Sequence, residues 1–404
     1  MCIIVLNSTN KYYSKRVYMN IIDFTTILND KYFYNLKKLK YKYPEKFEEF
    51  LHTLKELYHK PLDITDFNSN QVVLFSSFSG ISLNTIKLLL KEQNSLYGFY
   101  SAEEEIASSS AIESIDFNRE SIRNILKGYA PKDAEEDRIL GQKKALEFIS
   151  DPNNKITEGN IYRLYMLSIG EFLEEENKLQ SGCFYRNDSV FVVSDKLEHS
   201  GIDYRKLPVY MREFVKFINE DNIEDDLIKA SVIHFYFAYL HPYFDGNGRM
   251  ARFLHLWFLI QKGYKTTLFV PFSSYIQKSK NEYYNAFTLV EENYKISGVT
   301  DVTPFVKYFA DNVYNKLPEN EEKTDVLTMY KEALSDGKIT QKEADLWTFL
   351  LSHYGVNEFS TKQLEKDFGN AAYETIRKFV VKFEKNGLLV YKKMGNRVKY
   401  KVNG

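Results

Sequence analysis

Apolar residues recur at three- and four-residue intervals through most of this chain, the spacing of amphipathic helices. The pattern predicts helices over Lys46 to Tyr58, Leu83 to Gln93, Ile161 to Leu173, Leu207 to Ile218, Glu224 to Leu240, Arg249 to Gln261 and Lys278 to Glu291. Only 9 Pro and 18 Gly interrupt the 404 residues, which favours long helices over loops. One segment breaks the rhythm. Tyr185 to Val193 is β-rich around Asn187-Asp188 and predicts a small hairpin projecting from a helical body.

A second change comes near the C-terminus. Lys316 to Asp325 carries Pro318 and a run of charge, the composition of a linker. Beyond it the spacing predicts helices at Gln341 to His353, at Ser360 onward with Gln363 as its capping-box partner, and at Ala371 to Asn386 with Gly387 as its stop. Leu389 to Val402 then alternates around Gly395-Asn396. Val398, Tyr400 and Val402 fall on one face, and Arg397, Lys399 and Lys401 on the other. Three helices closed by a basic hairpin resemble a winged helix. The expected organisation is a helical extension at 1–100, a central body at 101–316, a linker at 317–330 and a winged-helix-like unit at 331–404. The length alone suggests two or three domains of ~150 residues.

Composition narrows the classes. Lys and Arg number 54 and Asp and Glu 55, so the formal net charge is -1 and the chain as a whole is not built to coat nucleic acid. Aromatics make up 16%, enough for a sizeable core. Cys2 and Cys183 are too few for a disulfide scaffold or a cysteine-rich zinc module. The apolar start, Cys2 to Leu6, lacks a basic flank and a cleavage site, and Phe253 to Ile260 is too short to span a bilayer. The expectation is a soluble, cytoplasmic protein with no membrane partner. Self-association is compatible with the sequence.

The chemistry concentrates in His241-Pro242-Tyr243-Phe244-Asp245-Gly246-Asn247-Gly248-Arg249-Met250-Ala251-Arg252. A helix ends before Pro242, Gly246-Asn247-Gly248 turns, and a second helix begins. A Gly-rich loop at a helix N-terminus offers free amides and the positive end of the dipole to phosphate. Arg249 and Arg252, three apart, share one face and can hold phosphate oxygens. Asp245 is a hard oxygen ligand suited to a Mg²⁺ shared with phosphates. His241 can act as a general base near neutral pH. These are the parts needed for phosphoryl or nucleotidyl transfer.

The stretch resembles the signature of the Fic family, His-x-Phe-x-Asp/Glu-Gly-Asn-Gly-Arg-x-x-Arg, with Tyr243 in place of the usual Phe. The resemblance spans about 101–316. It implies a mainly α fold, a Fic-type helical core with a small β-hairpin flap, that transfers AMP from ATP to a Ser, Thr or Tyr hydroxyl of a target protein and releases pyrophosphate. By position, His241 resembles the catalytic base and Asp245 the Mg²⁺ ligand. Gly246, Asn247, Gly248 and Arg249 resemble the anion hole, and Arg252 the arginine that holds the γ-phosphate. Gly248 favours AMP transfer over the phosphate transfer of the related death-on-curing kinases, which carry Lys there.

Three more pieces follow from the resemblance. The hairpin with Tyr185, Arg186, Val190, Phe191 and Val192 looks like the flap that pairs with an extended target segment. Tyr283 and Tyr284 stand where the family places tyrosines beside the nucleotide, or else belong to the core. Ser109 and Glu113 match the inhibitory motif Ser/Thr-x-x-x-Glu-Gly/Asn, with Ser114 replacing the last residue. There the Glu pairs with the second arginine and displaces the γ-phosphate. Ser110 and Glu113 would also serve as a helix-starting capping box. From Tyr373 to Gly404, nine basic and two acidic residues leave a net +7, which fits DNA or a protein partner. The alternatives are a DNA-binding regulator with a nucleotide-sensing Fic core, and a Fic enzyme that uses another donor or removes AMP.

Overall fold

The computed structural model describes residues 18–403 except 79, 91–97, 194–197, 221–222, 224, 318–338, 355–357, 370 and 395–396. The apolar start at Cys2 to Leu6 and most of the expected linker therefore lie outside the described residues. The described chain is mainly helical, and its strands form short antiparallel pairs.

Helices α1 (Ile21–Leu28), α2 (Leu36–Lys42) and α3 (Phe47–Leu57) come first. Asn20 and Asn35 cap α1 and α2 by accepting from the amides of Asp23 and Lys38. Phe24, Phe33, Phe47 and Phe50 give these helices a core of their own. The sequence reading places only helices before residue 100. Instead β1 (His59–Thr65) and β2 (Gln71–Phe75) pair antiparallel before α4 (Leu83–Leu90). The cause is distant in sequence. The Val73 amide donates to the Thr300 carbonyl at 2.9 Å, and the Val302 amide to the Val73 carbonyl at 3.0 Å. Leu62, Ile64, Val72 and Leu74 enter the same core as the central helices.

The central body contains α5 (Gly98–Ile112), α6 (Arg119–Leu126), α7 (Ala134–Ser150) and α8 (Glu158–Ser168). Strands β3 (Phe191–Val193) and β4 (Glu198–Ser200) follow, then α9 (Leu207–Asn219). Next are α10 (Asp226–Leu240), α11 (Asn247–Gln261), α12 (Phe272–Lys278), α13 (Lys280–Ser297) and α14 (Thr303–Asn312). The paired helices α10 and α11 are buried around nearly their whole circumference, as expected of helices that are apolar on all sides. α7 and α14 pack against this pair, and the Asn247 side chain ties the loop that joins them to the Tyr243 backbone.

The last unit has α15 at Gln341–His353, the bounds that the spacing predicts. It continues with α16 (Thr361–Phe368), α17 (Tyr373–Lys385), β5 (Leu389–Met394) and β6 (Arg397–Val402). Ser360 and Gln363 form the expected capping box, and Gly387 adopts φ 73° after α17. Trp347, Leu350, Phe379 and Phe383 form a separate core. α15 packs against α5, and the Lys127 ammonium of the α6 C-cap lies 5.8 Å from the Phe349 ring. No helix among the described residues is long and apolar enough to cross a membrane.

Candidate active site

Asp225 starts α10 by accepting from the amides of Leu227 and Ile228. The helix stops at His241, whose backbone turns left-handed (φ 54°) while its amide still reaches the Phe237 carbonyl at 3.1 Å. Asn247 then closes the loop: its side chain accepts from the Tyr243 amide at 3.0 Å and donates to the Tyr243 carbonyl at 2.8 Å. Tyr243 packs as an aromatic should, stacked on Tyr165 with ring centroids 3.6 Å apart. Its hydroxyl, however, is buried without a hydrogen-bond partner. Gly246, at φ 81°, leads into α11 with no side-chain cap, which leaves the first amides of α11 open to an anion. The Asn247 side chain thus shapes the loop, and its amide belongs to the uncapped first turn of α11.

Both arginines of the motif lie inside. Arg249 is 7% exposed and its Nη2 stands 3.4 Å from the Asp245 carboxylate. Burial lowers its pKa against the pull of Asp245 and Glu113. Arg252 donates from Nε to the Ser109 hydroxyl at 2.9 Å, and from Nη2 to the Ser109 carbonyl at 2.9 Å and to the Glu113 carboxylate at 2.8 Å. Burial works to lower the Arg252 pKa, but Glu113 together with Tyr283 and Tyr284 outweighs it and the net direction is up. Arg249 Nε and Arg252 Nη1 are buried donors without a partner. Two desolvated, unsatisfied guanidinium donors beside open helix amides are the donor set that phosphate oxygens would complete.

The segment with Ser109 and Glu113 is the C-terminal end of α5. Ser110 lies within that helix, so it starts none; the next helix is capped by Asn118. The Ser114 amide bonds to the Ala111 carbonyl and the Ile115 amide to the Ser110 carbonyl, each at 3.0 Å, with Ser114 at φ 62°. This is a Schellman cap. It explains why Gly or Asn suits the position of Ser114, and it aims Glu113 at α11. An added Cβ on Gly248 would lie 2.2 Å from the Glu113 carboxylate, so only glycine admits that approach.

A cavity of about 110 Å³ lies between α10 and α13. Phe235, Ala238 and Tyr239 line one wall, Tyr283, Tyr284, Phe287 and Glu291 the other, and Glu113 and Gly248 close the end. A larger groove of about 800 Å³, near Glu105 and Lys143, contains none of the motif residues.

Residues 155–259 match the Fic/DOC family. The likeness to that family lies in this segment of the chain, which holds the motif from His241 to Arg252. Two curated relatives, the Fic protein adenylyltransferases of Drosophila erecta and Drosophila yakuba, are each 26% identical over 182 residues. These alignments span 44% of this chain and 32% of each relative, about a third of their length. Among solved structures, a Fic family protein from Desulfovibrio desulfuricans G20 shares the fold at a TM-score of 0.50 and 17% identity, covering 81% of this chain and 98% of the other. The α5 segment with Ser109 and Glu113 lies upstream of the matched Fic residues.

The hairpin differs from the one expected around Asn187-Asp188. β3 and β4 pair Phe191 with Ser200 and Val193 with Glu198, so Asn187-Asp188 lies before the hairpin and not in its turn. The reason is that the preceding residues are bound to the body. The Tyr185 hydroxyl donates to Glu158 at 2.7 Å, and Arg186 is 2% exposed. Phe191 is exposed, Val190 is half-buried, and the Val192 side chain lies outside the described residues. Tyr283 is buried and shares a 2.8 Å hydrogen bond with His234 Nε2, while the half-buried Tyr284 reaches the Ile112 carbonyl at 3.4 Å. Burial raises both phenol pKa values, that of Tyr284 to about 12. Sequence reading missed Phe235, Tyr239, Phe287 and Glu291. Their i, i+4 spacing within α10 and α13 is visible in the sequence, but so apolar a pair of helices does not announce which face is hollow.

Proposed function

We propose that this protein is an adenylyltransferase that moves AMP from ATP to a hydroxyl of a target protein, and that Glu113 restrains it. The observation that carries the reading is the pair of orphaned guanidinium donors, Arg249 Nε and Arg252 Nη1, at the open N-terminus of α11. In this reading the α10–α13 cavity takes the base and the 246–252 turn takes the phosphates. His241 Nδ1 lies 3.3 Å from the Ala238 carbonyl. With Nδ1 as the donor of that contact, Nε2 is the nitrogen that accepts a proton. His241 takes the proton of the target hydroxyl as its oxygen bonds to the α-phosphorus. The bond from that phosphorus to the bridging oxygen breaks, and pyrophosphate leaves with the electron pair. Arg249, Arg252 and the α11 amides hold the charge that develops on the departing phosphates.

Asp245 is the residue that would hold Mg²⁺. It is a single carboxylate, 57% exposed at the mouth of the nest, which suits a cation shared with phosphates and water. The ion supplies charge neutralisation on the phosphates. Glu113 supports the restraint in two ways. It occupies Arg252, and it closes a cavity whose 110 Å³ is well below the ~300 Å³ or more typical of ligand sites. The decisive experiment is incubation of the Glu113→Gly protein with α-labelled ATP and Mg²⁺ in the presence of cell lysate. Label on protein, with the AMP mass confirmed on a hydroxyl side chain, is the expected result. Label that arrives only from γ-labelled ATP would replace AMP transfer by phosphate transfer, and competition among nucleoside triphosphates tests the donor.

A second reading concerns the last unit. Arg377, Lys378 and Lys385 of α17 and Lys392 and Lys393 of β5 are exposed, and they favour a winged-helix surface for duplex DNA. Lys382 is already paired with Glu343 at 2.7 Å and contributes less. The full chain should bind a short duplex with an affinity that falls steeply with salt. Charge neutralisation at Arg377, Lys378 and Lys385 should flatten that dependence by about 0.9 units of slope for each phosphate no longer neutralised. No binding at low salt would assign this face to protein partners.

A further inference from the structure

Arg186 is a buried charge that the transfer reading leaves without a role. Its Nε donates to the His241 carbonyl at 2.7 Å, its Nη1 to the Asp188 carbonyl at 2.6 Å, and its Nη2 to the Ile202 carbonyl. Its own amide donates to the Pro242 carbonyl at 3.0 Å. The three carbonyls belong to the segment entering the hairpin, the segment leaving it, and the proposed base. Two backbone bonds reinforce the same junction: Gly201 to Val190 at 3.2 Å and Ile202 to Leu240 at 3.3 Å. Gly201 lets these segments meet, since a Cβ there would lie 2.7 Å from Arg186 Nη2 and 3.0 Å from the His241 Cβ.

We propose that Arg186 is a positioning residue that fastens the β3–β4 hairpin to the His241 turn, so that the edge that docks a target and the base that deprotonates it move as one body. The catalytic half of this inference rests on the transfer reading above. The physical case is that a guanidinium loses hydration when buried and regains it here only through fixed carbonyls. Burial lowers the Arg186 pKa, and Asp203 and Asp188 counter it from nearby. A rigid planar fork bonds three diverging carbonyls at once, which the single ammonium of Lys can do only in part. His241 is a non-glycine residue at φ 54°, a backbone state that needs its surroundings to hold it. The bond to its carbonyl is one such hold.

Two experiments on the full chain test this. The first needs no activity. Hydrogen exchange should accelerate about tenfold or more in Arg186→Met, both at residues 201–202 and at 241–243, with Arg186→Lys intermediate. Gly201→Ala, which presses on both partners without a change of backbone region, should do the same. Faster exchange at 201–202 with parental protection at 241–243, in either Arg186→Met or Gly201→Ala, would overturn the linkage. The second is kinetic, in the Glu113→Gly protein. Arg186→Met should lower kcat by about 10–100-fold at saturating ATP and target, the scale of an ångström-level misplacement, with the KM for ATP within a few-fold and partial rescue by Lys. An unchanged kcat with a raised KM for ATP would overturn the positioning role. Absence of any transfer by the Glu113→Gly parent would refute the transfer reading instead, and the exchange result would still decide the linkage.

Discussion

Glu113 and Arg252 meet at 2.8 Å across 139 residues of chain, with the guanidinium 3% exposed and the carboxylate 31% exposed. A charge-assisted contact of this kind contributes about 1.5–3 kcal/mol, which corresponds to roughly 10–150-fold in an equilibrium. If that contact restrains transfer, Glu113→Gly should raise the rate of AMP incorporation by about that factor. Arg252→Ala should show no gain, and the double variant should stay as inactive as Arg252→Ala, because one arginine serves both states. Equal initial rates for parent and Glu113→Gly at saturating ATP would leave Glu113 without a role in restraint.

Under the proposed restraint, Ser114 would tune how firmly Glu113 is held. A left-handed backbone costs a non-glycine residue about 1–2 kcal/mol, and Ser114 stands at φ 62°. Ser114→Gly should therefore tighten the Schellman cap and lower the residual AMP transfer of the parent. Ser114→Val, β-branched and poorly suited to that region, should raise it. Background labelling in parallel reactions is the measurement, and the same change in both variants would be inconsistent with control through this cap.

His241→Ala should slow transfer by about 10²–10⁴-fold, the usual contribution of a general base. Nucleotide affinity, measured by calorimetry in the Glu113→Gly background, should stay within a few-fold, since in the proposed reading arginines and amides hold the phosphates. Transfer within a few-fold of the Glu113→Gly parent would remove His241 from the mechanism.

The Tyr243 hydroxyl, buried beside Tyr165 without a partner, carries a desolvation cost of about 1–3 kcal/mol. Tyr243→Phe keeps the stacked ring and removes the orphan. It should raise the melting temperature by several degrees and leave the pH dependence of transfer unchanged. A lower melting temperature would indicate that the hydroxyl has a partner in solution.

His255, fully buried against Tyr314, is held neutral by burial, with its pKa pulled down to about 3; burial lowers that of His234 as well. The unfolded chain titrates near the ordinary value of about 6.5, so below that pH it takes up protons that the folded state refuses. Stability is therefore full above about pH 6.5 and falls with acid, by up to about 1.4 kcal/mol per pH unit for each such histidine. The urea midpoint should drop between pH 7 and pH 5, with a shallower drop in His255→Gln. Identical slopes in the two proteins would assign the acid sensitivity to other groups.

What the sequence by itself determined is local. Periodicity and caps place α15 at Gln341–His353 and start α16 with Ser360 and Gln363, because each helix is specified by residues within a few positions of one another. The same holds for the turn from His241 to Arg252, where proline and glycine dictate the backbone directly. Tertiary structure decided the rest. The pairing of β1 and β2 depends on Thr300 and Val302, and the hairpin begins at Phe191 because Tyr185 and Arg186 are claimed by Glu158 and the His241 turn. Tyr283 turns to His234 and Tyr284 to Ile112, a choice between two faces of α13 that spacing leaves open. The left-handed state of Ser114 and the two unsatisfied guanidinium donors are likewise products of packing. Hydrogen-bond partners hundreds of residues apart and the desolvation of a buried charge are set by the folded environment, and no local pattern encodes them.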